Sequence, residues 1–377
     1  MKRYLLAPGP TPLPPEVCEA LAKPIIHHRA PVFAELLKGV VVDLKWLMRT
    51  ENTVITLASS ATGAMEGAVS NFLNAGDKAL VVIGGKFGER WLELCRIYGV
   101  TPVELNVTWG EAVTVEQVRD ALKKDATIKA LYIQASETST GVAHPVKEIG
   151  LMLKSEFPNI LYVVDSVTAL GVFDVRTDDW GIDVNVGGSQ KALMLPPGLA
   201  FASISNKAWE FNKTSKLPRY YFDFKKEAKS HGEGQTAYTP AVSMTVALRA
   251  ALDIFKRETP EKIYARNDRL ARATRAAALA LGMELFAPAS PTNACTAIKA
   301  PAGIDGQDIV KKLRNEYATT IAGGQSQLKG KIFRISHMGY IDDGDILHTL
   351  LALEKVLESL GYKFEKGASL KVAAKEM

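Results

Sequence analysis

The stretch Gly187–Phe201, GGSQKALMLPPGLAF, sets a single lysine, Lys191, between small residues and a Pro-Pro-Gly turn. Just upstream, the apolar run ILYVV reads as a fully buried strand over 160–164 that ends on an acid, Asp165. A buried carboxylate calls for a cationic partner. A lysine about one βαβ step downstream of such an acid is what a pyridoxal phosphate site needs. The amine forms a Schiff base with the aldehyde, and the carboxylate keeps the pyridine nitrogen protonated so that the ring acts as an electron sink. Two further stretches fit the same chemistry. In SSATG, the small residues Ser60, Ala61, Thr62 and Gly63 let the backbone approach an anion, and the free N–H groups of the following helical turn point the same way. In KIFRIS, Arg334 offers a guanidinium fork that matches a carboxylate, although its alternation with Phe333 and Ile335 also fits a solvent-facing position.

These residues need a scaffold that brings strand ends together, and the chain supplies an alternation of strand and helix. Short β-branched or apolar runs at 53–57, 79–84, 101–107, 129–135, 160–164 and 182–188 are separated by amphipathic stretches at helical spacing. The pattern predicts an α/β fold with a mostly parallel sheet covered on both faces, its ligand at the carboxyl ends of the strands. Ser60 to Gly63, Gly85 to Phe87, Ser136 to Gly141, Asp165 and Lys191 each follow such a strand. Before this region, five prolines between Pro8 and Pro15 predict a stiff, extended arm over 1–15. His28 and Arg29 lie between that arm and the next helix and read as a solvated loop, with a substrate-entry role as the alternative. The segment 216–238 reads as long, polar and irregular, and 363–377 as a poorly ordered tail. Residues 16–258 are expected to form the large domain and residues 259–377 a small α+β domain.

Composition narrows the possibilities. With 377 residues, 47% of them hydrophobic, the chain has enough apolar material for more than one core. The 46 basic and 41 acidic residues leave a net charge of +5 with no concentrated basic run, which argues against nucleic-acid binding and suits an anionic small substrate. Three scattered cysteines give neither a disulfide framework nor zinc-ligand spacing and favour a reducing cytoplasm. No apolar run is long enough for a membrane span. Neither a GxGxxG fingerprint nor a phosphate-binding GxxxxGK[ST] loop occurs.

Taken in order, PGPTPLP, SSATGAMEGA, GGKFGER, SETSTGV, VVDSVTALG, GSQKALMLPPGLAF, YTP and KIFRISHMG resemble the class V aminotransferases of pyridoxal phosphate fold type I, specifically the branch using alanine or serine with glyoxylate or pyruvate. The resemblance implies that Lys191 carries the cofactor and shuttles the proton, and that Asp165 pairs with the ring nitrogen. By the same resemblance Phe87 stacks on the ring, where relatives often have tryptophan, and Thr138 lies near the ring oxygen. Ser60, Ala61, Thr62 and Gln190 hold the phosphate, joined by Thr239 from the second subunit of a homodimer. Tyr238 is adjacent to that threonine and Thr236 lies at the position where relatives have a tyrosine, so the residue that reaches across stays open between them. Arg334 binds the substrate carboxylate, while Ala7, Pro8 and Gly9 close the pocket through their backbone.

The implied reaction is a two-step transfer with ping-pong kinetics, from a small amino acid to a 2-oxo acid. No second arginine for a side-chain carboxylate stands out. Two rivals remain: a cysteine desulfurase or related lyase, which would need Cys295 on a mobile loop, and a non-catalytic subunit of a redox complex.

Overall fold

The computed structural model describes residues 3–377; residues 1 and 2, the start of the expected arm, lie outside the described residues. The chain opens with β1 (Tyr4–Leu5), α1 (Pro15–Ala22) and α2 (Pro31–Met48), the last two each started by a proline, whose fixed φ suits a first helical turn. The alternation then runs β2 (Thr53–Leu57), α3 (Ala61–Ser70), β3 (Lys78–Ile83), α4 (Lys86–Ile97), β4 (Thr101–Asn106), α5 (Val115–Lys124) and β5 (Ile128–Gln134). A small hairpin of β6 (Ser136–Glu137) and β7 (Val142–Ala143) precedes α6 (Val146–Glu156), β8 (Leu161–Asp165), β9 (Val184–Gly188) and β10 (Ala200–Ile204). After α7 (Asn206–Thr214), α8 (Phe224–Gly232), α9 (Val242–Glu258) and α10 (Pro260–Ala280), the last part holds β11 (Cys295–Lys299), α11 (Gly306–Tyr317), β12 (Thr319–Thr320), β13 (Ala322–Gly323), β14 (Ile332–Ser336), α12 (Asp343–Ser359) and α13 (Ala368–Glu376).

Seven strands form the main sheet in the order β2-β10-β9-β8-β5-β3-β4, parallel except for β10. The period of two in β3 shows why it is a central strand: Ala79, Val81 and Ile83 pack with Ala64 of α3 and Trp91 of α4, while Leu80 and Val82 pack with Val118 of α5 and Ile149 of α6. Burying both faces leaves only the carboxyl edge for a ligand. A smaller sheet, β11-β14-β13, packs with α10, α11 and α12 around its own apolar cluster, including Phe333, Ile335 and Leu353.

Three local expectations are corrected. The tail is helical: α13 lies along α10, and Glu376 pairs with Arg272. The segment 216–238 contains α8, whose Phe224 inserts edge-on to Phe72 in the main core. Nor is the arm extended throughout. β1 pairs in parallel with β12, the chain then turns at Gly9 with φ of +108°, and the Gly9–Pro10 peptide is cis.

Candidate active site

Asp165 ends β8 in register with Gln134 of β5 and Val186 of β9, so its carboxyl group emerges at the carboxyl edge of the sheet. Its Oδ1 accepts from the Val167 N–H at 2.8 Å. Burial pushes this acid up to about 6, against the Val167 N–H and the charges of Arg90 and Lys191. β9 feeds the lysine loop, which Ser189 ties down by donating to Pro196 O at 2.7 Å and accepting from Leu199 N–H at 3.1 Å. The arm clamps the same loop: the Thr11 hydroxyl donates to Lys191 O at 2.7 Å, and the Lys191 ammonium donates to Pro8 O. Burial pulls the Lys191 amine down to about 8, with the Asp165 charge opposing and Arg334 and Arg90 adding to the fall. A neutral amine is therefore accessible near physiological pH, as a nucleophile or proton carrier needs.

Lys191, Asp165, Gln190, Phe87 and the Ser60–Thr62 turn line one cavity of about 270 Å³. α3 begins there without a side-chain cap, so among the described residues the Ala61 and Thr62 N–H groups face the cavity with no protein acceptor. The Gln190 Oε1 is buried and likewise without a partner. Gly188 leaves room for this turn, since a Cβ there would come within 2.9 Å of Ala61 Cβ. An anion-ready helix end, an orphaned amide, a buried acid and a lysine together fit a phosphorylated aldehyde with a ring nitrogen.

Gly9 reaches the lysine from the other side. A Cβ on Gly9 would lie 2.6 Å from Lys191 Cδ, at a φ that side chains rarely adopt. Gly9→Ala is therefore expected to push the arm off the lysine loop, costing roughly 1–3 kcal/mol and loosening the cofactor, as thermal melts and equilibrium dialysis would register.

Arg334 is not solvent-facing. β14 is buried along its whole length: Phe333 and Ile335 face the apolar cluster of the small sheet, and on the other face Ile332 packs with Ala297 and Leu328 while Arg334 meets Thr138. The guanidinium donates from Nε and Nη2 to Gly323 O at 3.1 and 2.7 Å, and from Nη1 to Thr138 O at 2.7 Å. Of its five N–H groups, this leaves one on each terminal nitrogen for a forked contact to a carboxylate. Thr138 thus enters through its carbonyl and does not line the Lys191 cavity, whose hydroxyl residues are Ser60, Thr62, Ser136 and Thr168. Cys295 opens β11, buried, with its thiol 3.7 Å from the same Thr138 carbonyl and pushed up to about 11 by burial. A strand-bound, protonated thiol does not suit a desulfurase nucleophile.

Two site residues escaped the sequence analysis. Glu137, buried, accepts from the Phe87 and Gly88 N–H groups at 3.0 and 3.2 Å and so fixes the start of α4. Burial raises it to about 7 against the hydrogen bonds from Ser139, Gly88 and Phe87. Its one signal was an acid three residues past the end of an apolar strand. Arg90, in GGKFGER, lines the Lys191 cavity as a second arginine that spacing alone did not single out. Tyr238 and Thr239 are not brought to this cavity within one chain. They line a separate one with Thr236, where Tyr238 stacks on Tyr221 at 5.0 Å and donates to Tyr220 O at 2.7 Å. His28 is half-buried beside the exposed His27, and Arg29 bonds to Gln235, all outside the Lys191 cavity.

The Asp165 environment has a consequence for stability. Its folded value near 6 lies above the unfolded 3.8, so the folded chain holds its proton longer, and the stability this gives is present below about pH 4 and lost as pH rises through 6. Cofactor-free Asp165→Asn is therefore expected to be more stable than the parent at neutral pH by roughly 2–3 kcal/mol, while retaining cofactor poorly. Melting curves of the two proteins should converge below about pH 4, separate between pH 4 and 6 and stay apart above it; a separation unchanged from pH 3 to 7 would contradict this origin.

Fold and site together define an α/β enzyme that holds a small phosphorylated cofactor at the carboxyl edge of its sheet. The class V aminotransferase profile matches residues 3–346, and the chain belongs to that family. Membership implies pyridoxal phosphate as the cofactor. The chain is 42% identical over 380 residues to the soluble hydrogenase 42 kDa subunit of Anabaena cylindrica, covering 99% of this chain and 98% of that one. It is 35% identical over 378 residues to the serine–glyoxylate aminotransferase of Hyphomicrobium methylovorum, covering 98% and 93%. The ureidoglycine–glyoxylate aminotransferase of Bacillus subtilis superposes with a TM-score of 0.95 at 28% identity, covering 100% of this chain and 98% of that one.

Proposed function

We propose that the protein moves an amino group from a small amino acid, serine or alanine, to glyoxylate or pyruvate. The observation that carries this reading is a buried, readily neutralised amine at Lys191 near a guanidinium, Arg334, that keeps one N–H free on each terminal nitrogen. Serine–glyoxylate and ureidoglycine–glyoxylate enzymes among the similar proteins support the acceptor more than the donor.

Pyridoxal phosphate, when bound, supplies the electron sink that stabilises charge at the substrate Cα. The chain's own residues do the rest. Ser60, Ala61, Thr62 and Gln190 hold the phosphate at the α3 N-terminus, Asp165 holds a proton on the ring nitrogen, and Phe87 offers the stacking face. Lys191 anchors the cofactor and then, as a neutral amine, carries the proton to and from Cα. Arg334 orients the carboxylate common to amino acid and oxo acid, so one site serves both half-reactions. Thr138 positions Arg334, and Gly9 with Pro8 closes the pocket over the lysine.

We further read the protein as a cytoplasmic homodimer with shared sites. Tyr238 and Thr239 lie apart from the Lys191 cavity, and Ser60 is exposed at its mouth, an arrangement suited to a second copy completing the phosphate site. Free Cys18, Cys95 and Cys295 suit a reducing compartment. The division into an arm over 1–15, a large unit over 16–258 and a small unit over 259–377 is supported by the separate apolar clusters of the two sheets.

The test is a panel of serine, alanine, aspartate and cysteine against glyoxylate and pyruvate. Serine or alanine turnover supports the reading, and sulfide release from cysteine contradicts it. Absence of any turnover, together with co-purification of a redox partner, would transfer the chain to the subunit role named for its Anabaena relative.

A further inference from the structure

α4 carries a second charged side chain into the Lys191 cavity. Arg90 follows Phe87 by three residues, so both project from one face of the helix. Its guanidinium carbon lies 5.0 Å from the centroid of the Phe87 ring, and it lines the cavity with Asp165 and Lys191. Other half-buried arginines of this chain are engaged by protein acceptors: Arg249 pairs with Asp43, Arg266 with Glu258, and Arg275 donates to Thr292 O and Asn293. Among the described residues no carboxylate pairs with Arg90. A half-buried cation in a cavity without an acid of its own is costly unless the site uses its charge.

We propose that Arg90 is the residue that positions and polarises the cofactor ring: it braces the Phe87 stacking face and keeps Asp165 a carboxylate after the lysine nitrogen is committed to the cofactor. The inference rests on the reading that this cavity holds pyridoxal phosphate, and on nothing about the donor. Asp165 must be ionised to hold a proton on the ring nitrogen, yet its burial favours the neutral acid. In the free protein two cations oppose that, Arg90 and then Lys191. Cofactor attachment takes the lysine amine out of that role, whereas a guanidinium keeps its proton. The other ionisable groups around the pair cannot substitute. Arg334 is not among the cations that act on Asp165 and keeps its free N–H groups for the substrate carboxylate, Glu137 is bound to the start of α4, and Cys295 stays protonated.

The test uses Arg90→Gln, Arg90→Met and Arg90→Lys, each loaded with pyridoxal phosphate. Its readouts are the pH midpoint of the visible absorption band and the cofactor dissociation constant. Removing the cation makes protonation of the lysine–cofactor nitrogen easier directly, and a less ionised Asp165 would hold the ring-nitrogen proton less well, which takes a positive charge off the conjugated ring, so both routes raise the midpoint. The neutral variants are expected to show a midpoint higher by about one pH unit and cofactor binding about tenfold weaker, with Arg90→Lys restoring the midpoint. Arg90→Met keeps the packing on Phe87 and carries the same expectation should Arg90→Gln not fold. An unmoved midpoint in both neutral variants, or one displaced equally in Arg90→Lys, overturns the proposal. Failure of the transaminase reading would look different: the parent would show the band and its midpoint but turn over no donor.

Discussion

Lys191→Ala is expected to lower transamination by at least about 10⁴-fold, because it removes both the covalent anchor and the proton carrier. The folded state should not suffer. Burial already pulls the Lys191 amine down to about 8 from an unfolded 10.5, so the fold bears a cost for it at neutral pH. The sign is that of a depressed base: the unfolded chain binds the extra proton, and the lysine weakens stability increasingly as pH falls from 10.5 toward 8. The variant should melt at or above the parent temperature without cofactor. Single-turnover absorbance with an amino donor checks the first expectation and a melting curve the second; retained turnover would mean that another base carries the proton.

Arg334→Lys should raise KM for both amino acid and oxo acid by about 10²-fold, the scale of a lost forked contact to a carboxylate, with a smaller change in kcat. The lysine keeps the charge but cannot reach Gly323 O, Thr138 O and a carboxylate together, as the guanidinium does with its five N–H groups. Steady-state kinetics with each substrate varied in turn separates the outcomes. A rise for only one of the two substrates would contradict a shared carboxylate site.

The parts of this site that were legible in the sequence are those fixed by local pattern. Asp165 and Lys191 follow apolar strands, and Ser60 to Gly63 are small residues at a strand-to-helix turn, so their place on the carboxyl edge follows from periodicity and topology. Arg334 was legible as a residue type but not by its surroundings. An alternating strand suggests one wet face, whereas β14 is covered on both, by the small sheet's own apolar cluster on one side and by Leu328 and the Thr138 segment on the other. Glu137 acts through long-range neighbours, the free amides at the start of α4, and Arg90 matters because its helix face meets Asp165 and Lys191 in one cavity, which no one-dimensional spacing displays. α8 was hidden for a related reason. Its buried positions, Phe224, Glu227 and His231, recur at helical spacing, but two of the three are polar, and apolar periodicity does not register them. α13 was hidden because its few apolar residues acquire a face only against α10.

The central claim is a covalent attachment at one nitrogen. Reducing the pyridoxal-phosphate-loaded protein with borohydride and mapping its peptides by mass should find the cofactor on Lys191 and nowhere else. Attachment at a different lysine, or a protein that binds the cofactor yet carries no label after reduction, would contradict the account.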